Sequence, residues 1–318
     1  MKTLSIPATT PETGASLGIL ELGTNSLKLH LYEEALGRFE PFRVEWDLGL
    51  EACSTLVVSN EAVAAAVSQT QKLLAEHGVR IPTRSIFGIA TGAFRQAENT
   101  SILVDRLQTE LGIQVWVLSD EDEASLLKDG AQNLIPSRPA MVFDLGGGSL
   151  DIVYFGKEHV WLRENLLLGV IHLHQMASRV TGAWDENEAL RWIAAGLADA
   201  RSFRLPEIHG TGGTVKAIAQ VASVSPIPLS EIRRLEGLAR KGGAQFELSE
   251  RRRELFLPGL LVVRHLMEHV GAGTLHYTRI DLGEVLLGRL LPIRSALRGP
   301  LSRAFSTLLP DSVPPPEA

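Results

Sequence analysis

The acid and glycines of Asp144-Leu145-Gly146-Gly147-Gly148-Ser149 end an apolar run, Met141–Phe143, and lead into a second, Leu150–Phe155. Backbone turning through glycines aims several N–H donors at one spot, which suits phosphate oxygens, while a carboxylate beside them suits a hydrated cation. Taken alone, the same residues read better as a tight hairpin whose glycines supply positive φ angles, since short glycine motifs match often by chance. The segment Ile19–Leu31 repeats the plan. Placing Glu21 on Asp144, 123 positions later, also places Leu22 on Leu145, Gly23 on Gly146, Ser26 on Ser149 and Leu27 on Leu150. Two hairpins of one design, about a domain's length apart, indicate a duplicated unit. A third small-residue loop, His209-Gly210-Thr211-Gly212-Gly213-Thr214, precedes a helix-like run and offers N–H groups at a helix N-terminus. The candidate phosphate holders are therefore Gly23, Thr24, Asn25 and Ser26, then Gly146, Gly147, Gly148 and Ser149, then Gly212, Gly213 and Thr214.

Two further segments bring side chains with chemistry. Ser119-Asp120-Glu121-Asp122-Glu123-Ala124 opens a helix, and acids in a first helical turn are explained by the helix dipole alone. A catalytic reading needs one of them to face the cleft and take a proton from water; Glu123 is the candidate, with Glu121 poorly separated from it. Arg95 follows the apolar run ending at Ala90, just past the carboxyl end of a strand. His30, His77, His172, His174, His265, His269 and His276 show no metal-ligand spacing and are read as structural. There is no Gly-x-x-x-x-Gly-Lys-[Ser/Thr] loop and no Gly-x-Ser-x-Gly elbow, so neither a P-loop NTPase nor acyl-transfer hydrolysis is supported.

The elements that must position these groups alternate between strand and helix, which predicts α/β architecture with mixed sheets flanked by helices and ligands beyond the strand ends. At 318 residues the chain has room for two domains. The expected division is an extended or disordered segment over 1–16, a first domain over 17–135, a second over 136–311 whose final helix packs back on the first, and a disordered tail over 312–318. Apolar residues make 45% and charged residues 21% of the chain, an ordinary globular balance. The net charge of −6 argues against broad nucleic-acid binding, and the short apolar runs argue against a membrane span. The basic clusters at Arg233-Arg234, Arg240-Lys241 and Arg251–Arg253 read as solvated helix faces or as a polyanion track. A single cysteine and an N-terminus without an apolar core suggest a cytoplasmic protein; a homodimer remains open.

Taken in order, these motifs resemble the exopolyphosphatase / guanosine pentaphosphate phosphatase family of the actin-like, sugar-kinase and heat-shock ATPase superfamily. Ile19–Leu31 and Val142–Asp151 resemble its two phosphate loops, Ala90–Arg95 its Thr-Ser-Ala-Leu-Arg segment, Ser119–Ala124 its Ser-Gly-x-Glu-Glu-Ala signature and Gly210–Thr214 its later Gly-Thr-x-Gly-Thr loop. The resemblance implies two ribonuclease-H-like domains around a cleft and Mg²⁺-dependent release of the terminal phosphate of polyphosphate or pppGpp. It selects Glu123 as the catalytic acid, puts Arg95 on the terminal phosphate, and implies Asp144, Glu21 and Asp151 as the metal's carboxylates. The chain departs from the pattern at Glu21 and Asp151, where the family has Asp and Glu, at Asp120 in place of Gly, and at Gly283, where an Arg is expected. Weaker readings are an impaired nucleotide or polyphosphate sensor and a superfamily phosphotransferase.

Overall fold

The protein is described by a computed structural model over residues 17–24, 26–33, 38–45, 57–78, 85–136, 139–157, 159–294 and 301–315. The expected N-terminal segment, Asn25 of the first loop and residues 316–318 lie outside these. Two mixed sheets carry the molecule. The first holds β1 (Leu17–Leu22), β2 (Ser26–Glu33), β3 (Arg38–Glu45), β4 (Ile86–Ala90) and β5 (Gln114–Val117) in the order β3-β2-β1-β4-β5. The second holds β6 (Ala140–Leu145), β7 (Leu150–Phe155), β8 (Val160–Leu166), β9 (Glu207–Thr211), β10 (Ile227–Pro228) and β11 (Thr274–Tyr277) in the order β10-β11-β9-β6-β7-β8. In each sheet three consecutive antiparallel strands come first, and the opening strand then pairs in parallel with the next one along. The duplication inferred from two loops thus extends to the whole sheet.

Side-chain alternation explains how both faces of each sheet are buried. Leu20 and Leu22 of β1 enter the core beneath the helices Asn60–Leu73 and Thr100–Leu111, while Leu17 and Ile19 face the other way. There they meet Val142 of β6 and Val153 of β7 in one apolar core shared by the two sheets. The helices Asp120–Gln132 and Leu282–Arg294 fill that core, and the second of them lies on β1 of the first sheet. A helix at Leu301–Leu308 places Phe305 between Phe87 and Trp116, at ring-centroid distances of 4.5 and 4.7 Å.

Locally, the sequence pattern predicts a strand pair over Gly37–Asp47, an Asn60 cap for the helix that follows and a helix over Asp185–Phe203, and the structure departs from each. Gly37–Asp47, read as a strand pair, contributes a single strand, β3, that runs antiparallel to β2 along its length. The cap of the helix Asn60–Leu73 is Ser59, whose Oγ accepts from the Ala62 N–H at 3.1 Å, and not Asn60. The helix expected over Asp185–Phe203 stops at Ala198, and the Phe203 ring instead meets Tyr154 edge-on. His172 and His174 sit on the helix Val170–Ser178, in the stretch that the sequence marks as helical over Val170–Val180. Within the predicted disordered tail, residues 312–315 are ordered: Val313 bridges Val117, and the Ser312 hydroxyl donates to Asp122 at 2.6 Å. Short polar tails lack the apolar periodicity that would mark such docking, because the partners here are one strand edge and one buried carboxylate.

Candidate active site

The two glycine hairpins close identically. The Gly23 N–H donates to the Ser26 carbonyl at 3.0 Å, and the Gly146 N–H to the Ser149 carbonyl at 3.1 Å. Turn length then fixes register, so that Glu21 lies directly across from Lys28 and Asp144 directly across from Asp151. One hairpin therefore carries an acid–base pair where the other carries two acids.

In the first hairpin Lys28 Nζ lies 2.6 Å from Glu21 Oε1 and 3.5 Å from Asp281 Oδ1, while His30 Nε2 lies 3.3 Å from Glu21 Oε2. Burial works to raise the Glu21 pKa, but the Lys28 charge and the His30 hydrogen bond outweigh it and hold this carboxyl far below the usual range. Burial likewise works against the Lys28 ammonium, and Glu21 and Asp281 reverse it, leaving the pKa raised. Gly283 belongs to the same cluster. A Cβ there would sit 2.3 Å from His30 Cδ2, so the arginine of the family pattern would displace the imidazole that steadies Glu21.

The second hairpin has no such internal cation. Burial pushes Asp144 up to about 7; Lys28 opposes this, and the negative charges of Asp151, Glu21 and Asp281 add to it. Asp151 is also raised, chiefly by burial, although Ser149 Oγ donates to it at 2.7 Å and Asn165 Nδ2 donates to its other oxygen. Two half-buried acids directly opposite one another, both harder to ionise than in water, form an oxygen donor set that a small hard cation would relieve. These residues fit Mg²⁺. Glu21, grouped with them by the resemblance, has its two oxygens engaged by Lys28 and His30.

The loops pack onto each other through positions where side chains have no room. Gly212 has φ +89°, and a Cβ there would lie 2.3 Å from Asp144 Oδ1, so the third loop closes directly over that carboxylate. Gly169, which with Leu168 falls where the resembled family has a Leu-Gly turn, would clash with the backbone of Gly147, Gly148 and Ser149 at 2.2–2.4 Å if it bore a Cβ. That approach lets the N–H groups of Val170, Ile171 and His172, otherwise orphaned at a helix start, donate to the carbonyls of Gly146 and Gly147. The loop after β4 holds the first hairpin in the same manner: Thr91 N–H donates to Leu22 and Ala93 N–H to Thr24 Oγ1 at 3.0 Å.

The four acids of Ser119–Ala124 separate by helical geometry. Ser119 Oγ caps the helix by accepting from the Asp122 N–H at 3.0 Å. Asp120 lies 2.8 Å from Arg95 Nη2, Glu121 is exposed and bonded to Arg163, and buried Asp122 holds the chain near Ser312. Glu123 alone lines the cleft, 7% exposed. Burial and the neighbouring Asp151 raise its pKa to about 8, against the pull of an Arg95 hydrogen bond. Sequence could not choose between Glu121 and Glu123 because a one-turn acidic run satisfies the dipole in any order. Arg95 is bonded to Glu123 and to the Leu118 carbonyl, and its Nη2 lies 4.0 Å from Asp151 Oδ1. Its guanidinium also offsets Asp120, the extra acid at the family's glycine position.

The cleft is lined by Glu21, Lys28, Glu123, Asp144, Asp151 and all three described small-residue loops. Arg43, Arg251 and Arg252 add positive charge to its wall. Of these, Arg251 and Arg252 belong to one of the basic clusters noted in the sequence, whereas Arg43 stands in none of them. Lys28 was present in the repeat itself, seven places after Glu21 as Asp151 is after Asp144.

The chain matches the Ppx/GppA phosphatase family over residues 51–292. Among solved structures, a PPX-GPPA enzyme of Aquifex aeolicus is 19% identical, with TM-score 0.66 over 86% of this chain and 98% of that one. An exopolyphosphatase of Cytophaga hutchinsonii is likewise 19% identical, with TM-score 0.66 over 87% of this chain and 98% of the other. At that identity the structures speak for the fold, two ribonuclease-H-like units of mixed sheet flanked by helices; the matched stretch of sequence speaks for descent. The chain belongs to the Ppx/GppA phosphatase family.

Proposed function

We propose that the chain is a Mg²⁺-dependent phosphoanhydride hydrolase that releases the terminal phosphate of inorganic polyphosphate or pppGpp. The observation that carries this reading is the position of Glu123, a buried carboxylate with its pKa raised into the neutral range, on the wall of a cleft built from three glycine loops. A phosphoanhydride already has a good leaving group, so the protein's task is to position reactants and offset charge. The backbone N–H groups around Gly146–Ser149 and Gly212–Thr214 would hold the phosphate oxygens, and Arg43, Arg251 and Arg252 the charge of the remaining chain. Glu123 would orient a water against the terminal phosphorus and accept its proton as the P–O bond to the leaving phosphate breaks. Arg95 would act as a positioning residue, keeping Glu123 aimed at the cleft. Mg²⁺ held by Asp144 and Asp151 would supply the charge neutralisation that two facing acids cannot.

The test measures orthophosphate released from short polyphosphate, long polyphosphate and pppGpp at millimolar Mg²⁺. Release from at least one substrate, lost on the order of 10³-fold in Glu123→Gln, is expected. Saturable binding without release would instead identify a sensor, and transfer to an acceptor in excess of release a phosphotransferase.

A further inference from the structure

Away from the cleft, β9 and β11 pair in parallel with His209 directly beside His276. Glu207, two residues before His209, points to the same side of the sheet. His276 Nε2 lies 3.0 Å from Glu207 Oε2, and the two imidazoles stack with centroids 4.7 Å apart at 18°. A ligand atom from each of the three residues lies within 4.8 Å of the others. From this geometry we propose a second metal site, Glu207–His209–His276, for a first-row divalent transition metal of the zinc type.

The donor chemistry separates it from the cleft. Two imidazoles and one carboxylate suit Zn²⁺, whereas the oxygen-only set at Asp144 and Asp151 suits Mg²⁺. Zinc bonds of about 2.0–2.1 Å at tetrahedral angles put neighbouring ligand atoms ~3.3 Å apart. The Glu207–His276 pair already has that spacing; the two imidazoles, stacked at 18°, must tilt out of parallel for both nitrogens to point at one ion. His209 is buried and its Nδ1 lies 3.1 Å from Thr278 Oγ1, which steadies the ring and makes Nε2 the ligating nitrogen. His276 and Glu207 are half-buried, leaving a side from which the ion and its waters reach the site. Sequence spacing gave no hint, because the parallel pairing of distant strands is what joins the ligands.

The site's placement gives it a consequence for the cleft. β9 runs on into Gly212 and the third loop, and the chain after β11 returns to it, with Thr278 N–H donating to the Gly210 carbonyl at 2.9 Å. A metal across β9 and β11 would brace the strands that hold that loop over Asp144.

The experiment titrates chelator-treated full-length protein with Zn²⁺ by calorimetry in millimolar Mg²⁺, which occupies the oxygen site, and follows Co²⁺ by visible absorption. One equivalent should bind, raising the Tm, and His276→Gln and Glu207→Gln should each weaken binding by at least about tenfold. Both variants should keep the metal-free Tm, since neither removes a fully buried group. Zinc binding equal in wild type and both variants, or abolished by Asp144→Asn instead, would overturn the assignment. So would the absence of any Zn²⁺ or Co²⁺ uptake by the wild type.

Discussion

The hairpins at Glu21 and Asp144 share a turn, a register and a position in their sheets, yet they resolve their buried charge in opposite ways. Across from Glu21 stands Lys28; across from Asp144 stands Asp151. The first hairpin is complete as it folds, its carboxylate answered by an ammonium and an imidazole. The second is left with facing acids whose ionisation burial resists, with no cation of its own across the strand pair. A duplicated unit has thus kept its backbone in both copies while one cross-strand pair divides the labour. One copy is braced within itself, and the other carries the facing acids that the proposed Mg²⁺ would answer.

The sharpest way to break this contrast is to make the second hairpin resemble the first. Asp151→Lys would place an ammonium opposite Asp144, and phosphate release should fall on the order of 10²–10³-fold, with Mg²⁺ no longer stimulating it in assays across a Mg²⁺ series. Retained Mg²⁺ stimulation would show that the facing acids are not the cation site. The reverse experiment, Lys28→Met, leaves Glu21 buried without its ion pair. A loss of ~3–5 kcal/mol in urea unfolding at neutral pH is expected, as for other broken buried pairs.

Acidity gives a third test. Glu123 and Asp144 have folded pKa values of about 8 and about 7, above their ordinary 4.5 and 3.8, so the folded state favours their protonated forms. Their contribution to stability is full below about pH 4 and is lost as pH rises through 7 and 8. Glu21 shifts the other way, so its contribution holds across this window and falls away only in strong acid. In chelator the Tm should therefore decline from pH 5 to 9, and Glu123→Gln should flatten that decline; Mg²⁺ should do the same for wild type. A flat wild-type profile would contradict the buried-acid account. The smallest effect belongs to Glu21→Asp, which shortens the side chain by ~1.5 Å and loosens the Lys28 contact, costing about 1 kcal/mol in the same unfolding assay.

The hairpins were legible because glycine turns are local chemistry, and a repeat of Glu-Leu-Gly and Asp-Leu-Gly at matched spacing survives in the sequence. The register they impose would also have placed Lys28 on Glu21, had the repeat been read two strands deep. What stayed hidden depends on distance. Gly169 reads as a turn residue, and only the packed structure shows that it lies against the second loop's backbone. The resemblance puts Arg95 on the terminal phosphate, and the fold adds three acids around its guanidinium that its own position in the sequence does not announce. The helix carrying Phe305 and the docking of Ser312 leave no pattern of their own, since each is defined by partners far along the chain.

That docking has a temporal side. Asp122, one residue before Glu123, is held by Ser312 and by the Asp311 N–H, some 190 and 189 positions downstream. Synthesis at ~5–20 residues per second puts roughly 10–40 s between the appearance of the acid and that of its anchor. During this interval the nascent helix carries a carboxylate without its native partners. The first sheet can form early, but the geometry around Glu123 is finished late, a built-in delay between folding and competence.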